Sequence, residues 1–442
     1  MLFFLLPRGR RAVCSLHWRL SWIAIACWLS PSFVFAAAPD DLASALRAAP
    51  AANLTLDDAV GRTLERNTLL RADNASVDSA RRQAELDGLA PPLTIGAELE
   101  NVAGTGAVSG IHAAEATLRL GRVFELGAKR SARQELGAAQ VARQLNALDR
   151  RRLDLAAIAT RRFIDVAGKQ ARLDLAARSV ALAGESHKAI VYRVQRGRSP
   201  EADLHLAELA VIRAELEHED ATHEVASARV SLAVLWGAKE PDFGRVLGSL
   251  DRLPTVSDLS MLAERLHRTP DYRGYALEFD QIDAQARLAA TNAKPDLHVT
   301  LGVRRFEALD DQALVFSVLM PFGLSQRSTL GIAKHQAERE RLEGQRTDAE
   351  LDAYQTLYGR YQELQHARHE FEALRDRMIP LAEKALASTQ AGYDDARFSF
   401  LQVAQTRAVL LGLHRDAIEA AARYHQLLAD IERATAASGA TP

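Results

Sequence analysis

Two stretches of the chain repeat apolar positions every seven residues, and the second stretch lies 199 residues after the first. The seams of the first stretch are Leu204, Val211, His218, Val225 and Leu232, and Ala207, Ala214, Ala221, Ala228 and Leu235. Those of the second are Val403, Leu410, Ala417, Tyr424 and Ile431, and Thr406, Leu413, Ala420, Leu427 and Ala434. This period predicts coiled-coil packing, and the alanines predict that the helix axes approach closely.

Segments of β-strand character precede each of these stretches. Three of them alternate apolar and polar residues and the last is apolar at every position except Ser317; they are 93–100, 115–120, 297–304 and 314–320. Pro91-Pro92 and Pro295 come just before the first segment of each pair, and proline ends a helix. The pattern predicts two β-hairpins, at residues 91–122 and 295–321.

The remaining tracts predict helices of matched length. Each half has a leading helix, a long helix after its hairpin and a returning helix; the ranges are 57–89, 128–196 and 201–236, then 259–293, 325–395 and 400–436. In each half the leading and returning helices together are as long as the long helix, about 100 Å at 1.5 Å per residue. Pro380 predicts a kink in the second long helix. Such matched lengths are typical of a tube wall of uniform height.

The first 36 residues have the pattern of a secretory signal. Arginines precede an apolar run at 20–35, which ends in a small-residue cleavage pattern before Ala37. An uncleaved membrane anchor is the alternative. Both cysteines, Cys14 and Cys27, lie in this leader, and Cys27 is a candidate for lipid attachment.

The chain is therefore expected to contain a signal peptide at 1–36 and two repeats, at 37–256 and 257–442. After the leader no stretch is long and apolar enough for a membrane helix, but about ten residues is the length of a membrane strand. Lipid requires every backbone amide to be paired, as in a closed barrel. Four strands cannot close one, so other copies must complete it. Two hairpins capping a soluble helical bundle are the alternative.

Three motifs, together with the order of the elements, resemble the TolC-like outer-membrane factors, or outer membrane efflux proteins. Two tip motifs, Gly197-Arg198-Ser199-Pro200 and Gly392-Tyr393-Asp394-Asp395-Ala396-Arg397-Phe398-Ser399, follow the long helices. A third, Phe124-Glu125-Leu126-Gly127-Ala128-Lys129-Arg130, is similar to a signature of the CzcC-like, heavy-metal branch. The family usually has glycine where this chain has Ala396, which implies a less sharp second turn.

The resemblance implies a mainly α fold with a small β part, in which helix, β-hairpin, long helix and returning helix occur twice. It implies a homotrimer in outer-membrane lipid, with a 12-stranded barrel on an α-helical periplasmic tunnel. The implied partners are a periplasmic adaptor and an inner-membrane resistance-nodulation-division (RND) pump, and the implied cargo is divalent heavy-metal cations. Drug efflux, type I secretion, and a soluble periplasmic adaptor or scaffold are the alternatives. We expect no enzyme activity, no cofactor and no nucleic-acid partner.

Two sets of residues are candidate functional positions. By their place in the resemblance, the turns are expected to dock the adaptor through Gly197, Arg198, Ser199, Pro200, Ala396, Arg397, Phe398 and Ser399. The resemblance also places a pore gate beside the tips, at Asp203, Tyr393, Gln402 and Gln405. Carboxylates in a narrow pore attract cations, whereas amides only narrow it. Tyr393 is expected to stabilise the closed state through a hydrogen bond.

The histidines do not lead us to predict a metal site. His366 and His369 share one helical face near Glu363 and Glu370, a possible ligand geometry. A transport conduit gains nothing from tight capture of its cargo, so we interpret these side chains as solvated. No nucleophile, base and orienting group occur at a recognised catalytic spacing.

Overall fold

The computed structural model describes residues 53–437, so the predicted signal at 1–36 lies outside the described residues. The helices are α1 Leu56–Arg66, α2 Thr68–Asp87, α3 Lys129–Gln195, α4 Glu201–Ala233, α5 Leu259–Leu266, α6 Pro270–Thr291, α7 Ser325–Ala373, α8 Ile379–Asp394 and α9 Phe400–Thr435. The strands are β1 Thr94–Glu100, β2 Glu115–Phe124, β3 Leu297–Phe306 and β4 Asp311–Leu319. The fold is thus mainly α with a small β part, as predicted.

The leading segment of the first half forms two helices, so the single helix predicted over 57–89 is wrong. Asn67 separates α1 from α2 because its backbone is extended and its side-chain oxygen accepts hydrogen bonds from the first turn of α2. Its amide nitrogen donates to the carbonyl oxygen of Leu235 at 2.8 Å. The break therefore ties the leading segment to the end of the returning helix.

The leading segment of the second half is also broken, so the single helix predicted over 259–293 is wrong. Thr269 caps α6 by accepting a hydrogen bond from the backbone N–H of Tyr272, and Pro270 is the first residue of α6. Proline suits this position because its missing N–H has no partner within a first turn. In both leading segments, therefore, the break is followed by a helix whose N-terminus is capped by a polar side chain.

The four strands form one antiparallel sheet in the order β1-β2-β3-β4. Pairing of β2 with β3 joins the two hairpins, so the halves of the chain share a sheet. The register places Leu118 opposite both Ala97 and Val303, and Val303 opposite Leu314. Strand β4 begins at Asp311, three residues before the predicted segment, because its polar first residues pair with the end of β3.

The long helices of the two halves are built differently. Helix α3 continues for 67 residues without a break. In the second half a π-helical segment, Leu374–Met378, lies between α7 and α8, directly before Pro380. Such segments absorb an insertion or an unpaired carbonyl in a helix. Among residues 53–437, no helix combines the length and the apolar character that crossing a membrane requires.

The predicted heptad seams form the core between helices. In the first half the alanine seam of α4 is buried where α4 packs along α3; its members are Ala207, Ala214, Ala221 and Ala228. In the second half α9 packs against α3, α7 and α8, and buries Val403, Ala420, Tyr424 and Ile431. These observations confirm the coiled-coil prediction. Small side chains along the seam allow the close approach of the helix axes.

Candidate docking and gating site

The first turn, residues 196–200, ends α3 with a left-handed residue. Gly197 has a φ of 67°. The N–H of Arg198 donates to the carbonyl of Arg193 at 2.8 Å, and the N–H of Gly197 donates to the carbonyl of Val194 at 2.9 Å. These two bonds define a Schellman motif, which satisfies carbonyls at the end of a helix. Pro200 follows with extended backbone and precedes α4.

The second turn, residues 395–399, has the same motif, so the expectation of a less sharp bend is wrong. Ala396 adopts a φ of 58°. The N–H of Arg397 donates to the carbonyl of Gly392 at 2.7 Å, and that of Ala396 to the carbonyl of Tyr393 at 3.0 Å. The motif is kept although an L side chain in this conformation costs about 1 kcal/mol.

Two further features rigidify the second turn. The ring of Phe398 packs against Gly392 in the space that a β-carbon at that position would need. Ser399 and Gln402 form a capping box, in which the Ser399 N–H donates to Gln402 Oε1 at 2.9 Å and the Gln402 N–H donates to Ser399 Oγ. A capping box satisfies two donors that a helix start leaves free.

An apolar cluster joins the two turns within one chain. Its buried members are Ile190, Ala207, Tyr393, Phe400 and Val403. The rings of Tyr393 and Phe400 lie 6.1 Å apart between centroids, in a tilted arrangement. Because the cluster draws side chains from α3, α4, α8 and α9, the two helical hairpins meet at their tips.

Polar contacts between the turns centre on Tyr393 and Arg193. The guanidinium of Arg193 lies 4.3 Å above the Tyr393 ring and 3.5 Å from the Asp394 carboxylate. The hydroxyl oxygens of Tyr393 and Ser199 are 3.3 Å apart. Arg193 was not among the predicted site residues; its signal in the sequence is a basic residue in the last turn of α3, where cations are favourable.

The four residues predicted to form a gate differ in their environments. Tyr393 is buried, Asp203 is half-buried, and Gln402 and Gln405 are exposed. Burial raises the pKa of the Asp203 carboxyl, and the positive charge of Arg193 acts in the opposite direction. Gln402 is engaged by the capping box. The structure brings Tyr393 to Ser199, whereas within residues 53–437 Asp203 forms no hydrogen bond with either glutamine.

The motif that follows β2 forms the junction between sheet and helices. Glu125 and Arg133 make a two-pronged ion pair, at 2.5 and 3.0 Å. Arg133 also donates to the carbonyl of Asp87 at 2.6 Å, at the end of α2. Lys129, the first residue of α3, pairs with Asp296 at 2.7 Å. The motif and Arg133 therefore tie β2 and α3 to the end of α2 and to the residue that precedes β3.

The two faces of the sheet differ in chemistry. One face is apolar and largely exposed in a single chain; its residues include Ile95, Leu99, Leu118, Leu120, Leu301, Val303, Leu314, Phe316 and Val318. The other face contains the charged side chains, which pair with one another, together with apolar residues such as Val315 and Leu319 on β4. Arg304 lies 2.6 Å from Glu115 and 2.7 Å from Glu100, and Arg119 pairs with Glu98. Strands β1 and β4 form the two edges of the sheet.

Within residues 53–437 no group of three or more histidine, cysteine or acidic side chains has a geometry that could hold a metal ion. The Nδ1 atom of His369 faces the carbonyl oxygen of Gln365 at 2.7 Å, one turn earlier in α7.

The chain is similar to known proteins in sequence and in fold. Residues 59–238 match the family model for outer membrane efflux protein. The chain is 27% identical over 296 residues to the cobalt-zinc-cadmium resistance protein CzcC of Cupriavidus metallidurans, which covers 66% of this chain and 70% of that protein.

Solved structures share the fold along most of the chain. A membrane protein from Pseudomonas aeruginosa superposes with a TM-score of 0.73 at 18% identity, covering 87% of this chain and 90% of the other. CusC gives a TM-score of 0.71 at 14% identity, covering 86% and 91%. The MtrE outer membrane channel of Neisseria gonorrhoeae gives 0.70 at 17% identity, covering 87% and 89%.

Proposed function

This chain is a relative of the outer membrane efflux proteins, by sequence over residues 59–238 and by fold over most of its length, and from that premise we propose that it is one subunit of an outer-membrane export channel. It is located in the outer membrane, and its long helices extend into the periplasm. It acts as a conduit and catalyses no reaction.

The observation that carries this proposal is the division of the sheet into an apolar face and a face that contains the charged side chains. A strand that crosses an outer membrane turns apolar residues to lipid and polar residues to a water-filled interior. Here the apolar residues Ile95, Leu314 and Phe316 are 79%, 79% and 68% exposed in a single chain. Contact with lipid would remove them from water, while the ion pairs of Arg119 and Arg304 would face the pore.

The edges of the sheet argue for assembly. Strands β1 and β4 each have one neighbour, so each leaves a row of backbone groups for pairing. In lipid such groups must be paired. We propose that β4 of one copy pairs with β1 of the next, and that three copies close a barrel of 12 strands from four each.

The proposed cargo is divalent heavy-metal cations. Support comes from CzcC, whose name assigns it to cobalt, zinc and cadmium resistance, and from the junction motif that resembles the heavy-metal branch. The proposed partners are a periplasmic adaptor and an RND pump of the inner membrane. The adaptor would contact both turns, at Gly197 to Pro200 and at Ala396 to Ser399. The gate would lie beside them, at Asp203, Tyr393, Gln402 and Gln405.

Conductance of the purified protein tests the channel proposal. The detergent-extracted protein should have the mass of three chains and should form discrete ion-conducting pores in a planar lipid bilayer. A species with the mass of one chain that is stable in plain buffer and does not bind lipid would overturn the proposal.

A matched pair of variants tests the orientation of the sheet. Phe316 and Ser317 are neighbours on β4 and face opposite sides. Arginine on a lipid-facing position costs about 2–4 kcal/mol near the bilayer centre, whereas arginine on the pore side is tolerated. Phe316→Arg should therefore reduce the amount of trimer in outer-membrane fractions severely, and Ser317→Arg should not. Equal assembly of the two variants would contradict this orientation.

Deletion of the gene tests the cargo. Loss of the channel should increase sensitivity to zinc, cobalt, cadmium or copper ions, and the intact gene should restore tolerance. If only organic toxicants become more harmful, the channel assignment survives but the metal assignment fails.

A further inference from the structure

The first turn carries positive charge that the rest of the chain does not neutralise. Arg196 and Arg198 are both exposed. In the part of the chain that the structure describes, neither guanidinium has a carboxylate within ion-pairing distance. The Arg196 guanidinium instead lies 4.1 Å above the ring of Tyr192, which is 53% exposed. The turn thus presents two cations and an aromatic surface to its surroundings.

The second turn is neutralised by its own side chains. At the positions equivalent to Arg196 and Arg198 it has Asp395 and Arg397, which pair with each other at 2.6 Å. Asp394 lies 3.5 Å from Arg193 of the first hairpin. The exposed residue Phe398 adds an apolar surface. Two turns with the same backbone motif therefore differ in charge.

The helix end explains only part of this difference. A cation near the last carbonyls of a helix is favourable, which suits Arg196 at the C-cap of α3. Arg198 lies beyond the helix, where that effect has faded. The stacking of Arg196 on Tyr192 orders the Arg196 guanidinium, and the backbone bond from Arg198 to Arg193 fixes the backbone of Arg198. Groups ordered before binding lose less entropy when a partner arrives.

We propose that the first turn recognises an acidic loop of the periplasmic partner, through Arg196, Arg198 and Tyr192. The proposal rests on the proposed function, since it assigns chemistry to the docking that the channel requires. Guanidinium groups bind carboxylates through paired hydrogen bonds, and an exposed aromatic beside them adds apolar contact. The two turns of one chain are then distinct docking sites.

Crosslinking in intact cells identifies the loop. A photoreactive p-benzoylphenylalanine in place of the exposed Gln195 would lie beside the first turn without altering Arg196, Arg198 or Tyr192. Mass spectrometry of the crosslinked peptide should show a periplasmic loop that contains aspartate or glutamate. A crosslinked loop that is neutral or basic would overturn the proposal.

Charge reversal then tests recognition with the purified trimer and the adaptor that the crosslink identifies. Arg196→Glu combined with Arg198→Glu should raise the dissociation constant about tenfold or more, since like charges would then face each other. The double variant with glutamine should give a smaller rise. Arg213→Glu, a reversal at a side chain 84% exposed on α4, is the matched control and should bind as the wild type does.

Rescue by the partner completes the test. Lysine in place of the acidic residue of the crosslinked loop should restore binding to the Arg196→Glu, Arg198→Glu trimer and weaken binding to the wild type. Each variant should keep trimer mass and pore conductance, which excludes misfolding. If the doubly reversed trimer binds within twofold of the wild type, the acidic-loop proposal fails and the channel stands. If the wild type forms no conducting pore, both proposals fail.

Discussion

The first half of this chain extends through its long helix without interruption, whereas the second half covers its long-helix segment in two α-helices with a π-helical segment between them. Pro380 accounts for the difference. Its ring displaces the carbonyl four residues earlier and it has no N–H to donate. Leu374–Met378 accommodate this by wider hydrogen bonding. Helix α9 packs against both α7 and α8, on either side of the break. The second half of the chain therefore keeps the same arrangement of elements although its long helix is interrupted.

The junction between strand and long helix also has more stabilising contacts in the first half than in the second. In the first half the β2–α3 junction has ion pairs from Arg133 to Glu125 and from Lys129 to Asp296. In the second half the start of α7 has one hydrogen bond to a neighbouring helix, from Ser328 Oγ to the carbonyl of Ala289 at 2.8 Å. The first half thus fixes the sheet against the helices, and the second half is held more weakly at this point.

Removing the strongest contact of the first junction should have the largest effect. Arg133→Ala leaves the half-buried Glu125 without its partner and removes the donor from the carbonyls of Asp87 and Leu89. We expect the free energy of unfolding to fall by about 3 kcal/mol, measured by urea unfolding of the trimer in detergent. Ser328→Ala removes the hydrogen bond from α7 to Ala289 at the second junction and should lower it by about 1 kcal/mol. Equal losses would remove the contrast between the junctions.

Substituting the residues at positive φ, Gly197 and Ala396, should change the stability of the two turns in opposite directions. Gly197→Ala introduces strain at positive φ although nothing lies within 4 Å of the new β-carbon, so the first turn should lose about 1 kcal/mol. Ala396→Gly should relieve the strain at the second turn and stabilise it by a similar amount. Hydrogen exchange of the Arg198 and Arg397 amides measures both changes. A loss in both variants would show that the turns are not equivalent in backbone strain.

The hydroxyl of Tyr393 has no counterpart in the first half, where Val194 occupies the equivalent position. Tyr393→Phe removes the contact with Ser199 but keeps the stacking of Arg193. If Tyr393 acts in the proposed gate, the closed state should lose about 0.5–1 kcal/mol of stability, seen as a higher fraction of open time in single-channel recordings. Ser199→Ala should have the same effect, and the double variant should add nothing further. Additive effects would show that the hydroxyls do not interact.

The smallest effect on stability should come from substituting His425, whose equivalent in the first half is Ala226. Burial lowers the pKa of His425 below its ordinary value of 6.5, although hydrogen bonds from its ring to Leu250 and Arg252 oppose this. The unfolded chain therefore takes up a proton near pH 6.5 before the folded chain does, and folding loses stability as the pH falls below 6.5. His425→Gln should lose less stability than the wild type between pH 7.5 and pH 5.5. Parallel pH profiles would contradict this.

Local patterns in the sequence were enough to predict the strands, the heptad seams and the positions of the turns. The alanine seam of α4 and the alternation of β1 to β3 report burial directly, because a side chain's face follows from its position in a helix or strand. The sequence also contained the signal for the break before α6, a threonine followed by proline at 269–270, which the periodicity of the surrounding residues concealed.

Contacts between distant residues decided the rest. Asn67 ends α1 where its side chain reaches Leu235, and Arg193 acquires its role only when Tyr393 and Asp394 lie against it, 200 residues later in the chain. The charge difference between the turns likewise depends on which carboxylates reach which arginines. Periodicity and turn motifs are properties of neighbouring residues, so the sequence determined the elements. Ion pairs and caps that join separate elements depend on how those elements pack, so only the tertiary structure determined them.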